Sequence, residues 1–254
     1  MRLHITHLGL GPDLVLLHGW GSHSGVWGSL MVHLSAHFRL ILIDLPGHGR
    51  SMPLYQGEQL KGLAERVAAL APSPAFWLGW SLGGLIALQI AMDYPAQVRK
   101  LVLVASTPRF TTAPDWPQAV VPELLSSFSQ ALKIDIPGTL KRFTLLQTQG
   151  SEWAKEVART LFAQMNICYP SATGLQESLS ILQNSDLRSA LAAVYCPTLM
   201  IMGQQDILIP ASVGEWMANQ LFQGQICAVA GAGHAPFLSH PQVFLDALKA
   251  FLEV

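Results

Sequence analysis

A chain of 254 residues, half of them hydrophobic and only 12% charged, has enough apolar matter for a large interior and is not disordered. A net charge of −1 and an isoelectric point near 6.7 argue against a nucleic-acid binder or a polybasic membrane anchor. Cys168, Cys196 and Cys227 form neither a C-x-x-C pair nor an even set, and the opening MRLHITHLGLGPD has no sustained apolar run or small-residue cleavage site; the expectation is reduced thiols in a cytoplasmic protein.

His4 and His7 fall in a predicted terminal strand, with no matching carboxylate or cysteine cluster that would make them a metal site. Short runs rich in Val, Ile and Leu then predict strands over 13–19, 38–47, 75–80 and 98–106, and helical spacing fills 26–36, 58–71 and 82–93 between them. Strands without polar alternation, separated by helices, predict a parallel sheet covered on both faces. From Arg109 to Asp186 strand runs are absent. Amphipathic stretches near 119–133, 138–149, 151–167 and 172–184 take their place, divided by Pro114, Pro117, Pro122, Pro137, Gly150, Pro170 and Gly174. A strand over 197–206, a helix over 211–222, a strand over 225–231 and a helix over 241–253 resume the alternation. The expected organisation is an α/β core in two parts, 1–109 and 187–254, interrupted by a helical lid over 110–186. The uncharged run FWLGWSLGGLIALQIAM (76–92) is no membrane span, because the strand ends near Gly79 and leaves a helix of about eleven residues, short of the ~20 required.

At the front of that run, G-W-S-L-G sits between strand and helix, the context in which G-x-S-x-G holds a nucleophile. Ser81 must occupy a tight turn to project its hydroxyl above the sheet, and Gly79 and Gly83 leave room for it. A serine hydroxyl is a weak nucleophile until a base takes its proton. His234, in the Gly-rich loop after the last strand, is the candidate base, and Asp206, at the end of the preceding strand, the acid that orients it. The loop after the earlier strand reads ASTP (105–108) and offers no carboxylate; Asp186 is a distant second choice. Two N–H donors must face the developing oxyanion. They are expected from the backbone of Leu82 and of Trp20, the latter in a loop fixed by His18 and Gly19. His18 itself, Asp44 and Arg50 are expected to pin turns, and His240 to cap a helix or lie at the surface. No metal or cofactor is called for.

LLHGWG, DLPGHGRS, GWSLGG, GQQD and GAGHAPFLSHP, in this order, resemble the α/β-hydrolase superfamily over nearly the whole chain. The tryptophans of HGWG and GWSLGG, the ending HAPFLSHP and the segment RFTLLQTQG (142–150) are more narrowly similar to the pimeloyl-acyl-carrier-protein methyl ester esterases of biotin synthesis. The resemblance implies a carboxylesterase that removes a methyl group from a pimeloyl chain held on acyl carrier protein. It implies substrate contacts at Trp20, Ser81, Leu82 and the segment Phe143, Thr144, Leu145, Leu146 and Gln147. Carrier proteins are acidic, so Arg142, Lys155 and Arg159 are the candidate docking cations. Phe128, Phe143, Leu146, Trp153 and Phe162 are candidates to line an acyl channel or simply to pack the lid. A monomer without nucleic-acid or membrane partners is expected. Two readings stay open beside this one: a general short-chain esterase or C–C bond hydrolase with the same triad, and a non-catalytic receptor or scaffold of the same fold.

Overall fold

The computed structural model describes residues 3–53 and 57–253. Seven strands form one sheet: β1 (Ile5–Leu8), β2 (Asp13–Leu17), β3 (Arg39–Ile43), β4 (Ala75–Trp80), β5 (Val98–Val104), β6 (Thr198–Gly203) and β7 (Gly224–Val229). Their spatial order is β1-β3-β2-β4-β5-β6-β7. β1 runs antiparallel to β3, and every other pairing is parallel. The central strands are apolar over their inner stretches, with Asp13, Arg99 and Lys100 confined to the N-terminal ends of β2 and β5, because both faces are covered. Val15, Leu17, Ile41, Ile43, Trp77 and Leu101 point into one core, while Leu14, Leu16, Leu40, Leu42, Phe76 and Leu78 point into the other.

Helices α1 (Leu30–Leu34), α2 (Leu60–Ala68) and α3 (Leu82–Asp93) follow β2, β3 and β4. α3 is buried from Leu82 to Ala91, as a helix apolar all round must be. Among the described residues no helix is long and apolar enough to cross a membrane.

Between β5 and β6 the chain forms α4 (Pro122–Leu132), α5 (Ile136–Thr148), α6 (Ala154–Ile167) and α7 (Ala172–Asn184). Asp135 caps α5 by accepting from the Gly138 N–H, and Ser171 caps α7 by accepting from the Gly174 N–H. The apolar faces of α4, α5 and α7 join the core that also holds Trp20 and Leu82, and α6 divides between the two cores, Met165 in that one and Val157 and Leu161 in the other. The four helices thus sit over the C-terminal ends of the strands. Where this segment meets the sheet, Arg109 and Arg188 both bind Asp186, at 2.7 and 2.8 Å, and Arg188 also reaches Asp115 at 3.0 Å. The two guanidinium groups hold the Asp186 carboxyl well below the usual carboxylate range. Asp186 is thereby a structural ion-pair partner rather than a catalytic acid.

After β6 come α8 (Ala211–Gln220), β7, a short α9 (Pro236–Ser239) and α10 (Pro241–Leu252). The four-residue α9 has no counterpart among the predicted elements. His240 stands at the N-cap position of α10, but its ring bonds Ser239 Oγ at 2.9 Å and makes no capping bond.

Candidate active site

Ser81 sits where β4 turns into α3, with φ +54° and ψ −116°. A non-glycine residue in that region is strained and persists only where its surroundings over-determine it. They do so here: the Ser81 N–H donates to the Val104 carbonyl at 2.9 Å, and Ser106 Oγ donates to the Ser81 carbonyl at 2.8 Å. Close backbone approach dictates the two flanking glycines. A Cβ on Gly79 would run into the Gly83 carbonyl, and one on Gly83 into the Leu17 carbonyl.

His234 Nε2 lies 2.9 Å from Ser81 Oγ, and its Nδ1 lies 2.7 Å from Asp206 Oδ2. Because a carboxylate can only accept, Nδ1 carries the proton and Nε2 accepts from the serine hydroxyl. The second Asp206 oxygen accepts from the Leu208 and Ile209 N–H groups at 2.9 and 3.1 Å. The imidazole is held by its own backbone as well: Trp80 Nε1 donates to the His234 carbonyl at 2.7 Å, and the His234 N–H donates to the Gln147 carbonyl at 3.2 Å. All three side chains are buried. A hydroxyl, an imidazole and a carboxylate joined in this order can pass the serine proton to the ring while the acid stabilises the imidazolium.

The Trp20 and Leu82 N–H groups have no protein acceptor among the described residues. The Trp20 indole turns into the core, where Nε1 donates to the Leu175 carbonyl of α7 at 3.0 Å and the ring stands edge-on to Phe143 at 4.7 Å. Two buried histidines flank its loop. His18 Nε2 accepts from the Leu45 N–H at 2.9 Å, so its Nδ1–H donates to the Gly19 carbonyl at 2.8 Å. His48 Nε2 accepts from the Gly21 N–H at 3.2 Å, so its Nδ1–H donates to the Pro46 carbonyl at 3.0 Å. Burial, reinforced by His48, pushes the His18 pKa down to about 3; burial pushes that of His48 down to about 4. Both rings are neutral at pH 7. Beside them, burial alone would raise the Asp44 pKa, but N–H bonds from Arg50 and Ser24 outweigh it and hold the carboxyl low. Asp44 thus pins the turn as expected, and Arg50 contributes through its backbone.

Trp20, Ser22, Trp80, Phe143, Thr144 and Gln147 are among the residues around a narrow space of about 20 Å³, room for about one water. Gln147 Nε2 is buried there with no hydrogen-bond partner among the described residues. Leu146 is half-buried and packs on the same core. Leu145 departs from the expectation: it is 49% exposed and faces outward, because helical spacing puts Phe143, Thr144 and Gln147 on the buried face with Leu146 at its margin and Leu145 on the other side. Trp153, 50% exposed, also stands away from this space, and Phe162 faces an outer groove of about 600 Å³ between α5 and α6. Lys155 and Arg159 line that groove beside Leu145. Arg142 is exposed on α5, its Nη2 3.3 Å from Thr139 Oγ1. None of the three cations is in an ion pair among the described residues.

A model described as the alpha/beta hydrolase family matches residues 14–247. The chain belongs to the alpha/beta hydrolase family. Among curated members, the chain is 44% identical over 242 residues to the pimeloyl-[acyl-carrier protein] methyl ester esterase of Yersinia pseudotuberculosis serotype O:1b, covering 95% of this chain and 93% of that one. It is likewise 44% identical over 251 residues to the enzyme of the same name from Xanthomonas oryzae pv. oryzae, covering 98% of each. An alpha/beta hydrolase fold is also seen in an esterase from Exiguobacterium antarcticum, with a TM-score of 0.88 at 23% identity over 99% of this chain and 96% of that one. A hydrolase from Pseudomonas aeruginosa superposes with a TM-score of 0.83 at 26% identity over 99% and 94%. As an alpha/beta hydrolase related to named esterases, the chain is a carboxylic ester hydrolase. Sequence reasoning passed over His48 and Ser106. Nothing in the local pattern marks Ser106; His48 stands between the two glycines of GHG, which permit the tight turn that aims its ring inward.

Proposed function

We infer that this chain is a serine carboxylesterase that hydrolyses the methyl ester of pimeloyl-[acyl-carrier protein] in biotin synthesis. The observation that carries the reading is the unbroken relay Ser81–His234–Asp206 in a chain 44% identical, nearly end to end, to proteins bearing that name. Ser81 Oγ attacks the ester carbonyl as His234 Nε2 takes its proton. The Trp20 and Leu82 N–H groups receive the developing oxyanion. The imidazolium, stabilised by Asp206, returns the proton to the leaving methoxide, and methanol departs. Water, deprotonated by the same ring, then releases the free distal carboxylate and restores the serine. Every proton in the cycle passes through His234, so neither metal nor cofactor is needed.

In this reading residues 110–186 form a lid on a core made of 1–109 and 187–254, and Phe143, Thr144, Leu146 and Gln147 meet the substrate with Trp20, Ser81 and Leu82. Arg142, Lys155 and Arg159 receive the acidic carrier outside the lid, and the enzyme works in the cytoplasm as a monomer. The test compares kcat/KM for methyl pimeloyl-acyl-carrier protein, free dimethyl pimelate and a short p-nitrophenyl ester, with Ser81→Ala as control. A preference of several hundredfold for the carrier-linked ester, roughly 3–4 kcal/mol of transition-state binding, is expected. Equal or better turnover of the short ester, still abolished by Ser81→Ala, would leave a general esterase.

A further inference from the structure

The two neutral histidines beside the oxyanion loop act on consecutive peptide groups. The Trp20 N–H belongs to the same planar unit as the Gly19 carbonyl, and in a trans peptide the two point in opposite directions. Fixing the Gly19 carbonyl on His18 Nδ1–H therefore aims the Trp20 N–H. The next unit runs from Trp20 to Gly21, and its N–H is taken by His48 Nε2. The Gly19 carbonyl also accepts from the Ser22 N–H at 3.3 Å, closing a turn in which Gly21 has φ +71°, and His48 holds the N–H of that turn's central peptide. Both rings are wholly buried, with centroids 5.4 Å apart. Each is anchored from behind by the 45–46 turn, through the Leu45 N–H and the Pro46 carbonyl.

We propose that His48 is a positioning residue for ester hydrolysis, forming with His18 a matched pair that clamps the two peptide groups on either side of Trp20 and so aims its N–H at the oxyanion. The role rests on the esterase reading and goes beyond it. His18 works as a donor to a carbonyl and His48 as an acceptor from an N–H, so the two positions make opposite demands on a substitute. An asparagine amide reaches where Nδ1 stood, and a glutamine amide where Nε2 stood. At position 48, glutamine keeps a group able to accept from the Gly21 N–H, whereas asparagine does not reach it. At position 18 the order inverts, because asparagine can still donate to the Gly19 carbonyl.

Steady-state kinetics on dimethyl pimelate with His48→Gln, His48→Asn, His18→Asn and His18→Gln, each with its melting temperature, tests this. Loss of one oxyanion donor costs about 10²–10³ in kcat, and a misdirected donor costs less. His48→Asn and His18→Gln are expected to lower kcat by about 10- to 100-fold with KM within about threefold. His48→Gln and His18→Asn should stay within about fivefold of the wild-type kcat. Equal losses for asparagine and glutamine at position 48, or losses that follow only the folded fraction, overturn the proposal. Should the position-48 variants fail to fold, the 15N spectrum of the wild-type imidazole decides: protonated Nδ1 and bare Nε2 at pH 7 support the clamp, and the opposite tautomer refutes it. A wild-type protein without Ser81-dependent turnover would instead sink the esterase reading beneath it.

Discussion

The Ser81 backbone, at φ +54°, is a local cost that the neighbouring strand and the flanking glycines make bearable. Two consequences follow for single residues. Gly83→Ala would put a Cβ against the Leu17 carbonyl, and backbone cannot swing aside as a side chain can. We expect a loss of about 2 kcal/mol or more in unfolding free energy, read from urea midpoints, together with loss of turnover. Asp206→Asn acts differently. Its amide can be turned to offer a hydrogen instead of an acceptor to His234 Nδ1, which inverts the imidazole tautomer, while the fold survives. A fall in kcat of about 10⁴ with little change in melting temperature is expected; a variant with a tenth of wild-type activity would remove Asp206 from the relay.

At the scale of elements, α5 divides the proposed substrate segment 143–147 by its own geometry. Phe143 and Gln147 face Trp20, while Leu145 lies on the outer groove. Phe143→Ala should lower kcat/KM for dimethyl pimelate by about tenfold or more, and Leu145→Ala by less than about twofold. The outer face carries a separate prediction. Charge reversal of Arg142 and Arg159 together should weaken use of the carrier-linked ester by about tenfold, falling as salt rises, and leave dimethyl pimelate unaffected. Equal loss on both substrates would move these arginines from docking to structure. The same division marks what the sequence reveals. The strands β2 to β6 were legible because a strand buried on both faces loses its polar alternation; the half-buried edge strand β7 was legible only as a short apolar run. The four helices between β5 and β6 were legible from their apolar spacing and their prolines. The Ser81, His234 and Asp206 set could be read because each lies at a fixed place relative to a strand. Leu145 misled because an apolar residue on an amphipathic helix can face the site or an outer groove, and composition does not distinguish the two; Trp153 precedes α6 at its N-cap position and is exposed. His48 was hidden because its role is to hold a backbone amide, and no side-chain partner in the sequence advertises it. α9 is a single turn, too short to carry a period.

For the whole molecule, acid is the revealing variable. His18 and His48 are buried with pKa values of about 3 and about 4, below the ordinary histidine value near 6.5. The unfolded chain therefore takes up protons that the native state refuses. The stability present above pH 7 drains away as pH falls below about 6.5 towards 4. Asp44 acts on a later limb, since its lowered pKa supports the fold above the usual carboxylate range and loses that support only below it. At pH 5 the two histidines together should cost about 3–4 kcal/mol relative to pH 7.5, at 1.36 kcal/mol per pKa unit. Denaturant midpoints that coincide at the two values would mean that these rings open to solvent in the native state.

The ion-pair cluster of Arg109, Asp115, Asp186 and Arg188 has a meaning beyond stability. It fastens the helical segment where the chain leaves β5 and returns to β6, and these two strands are hydrogen-bonded neighbours, with Leu101 opposite Thr198. All four helices thus enter and exit through a single seam, with no strand order to rearrange on either side. A stretch attached in that manner can be exchanged by cutting and rejoining at one place, leaving the serine, the histidine and the aspartate on strands that keep their pairing.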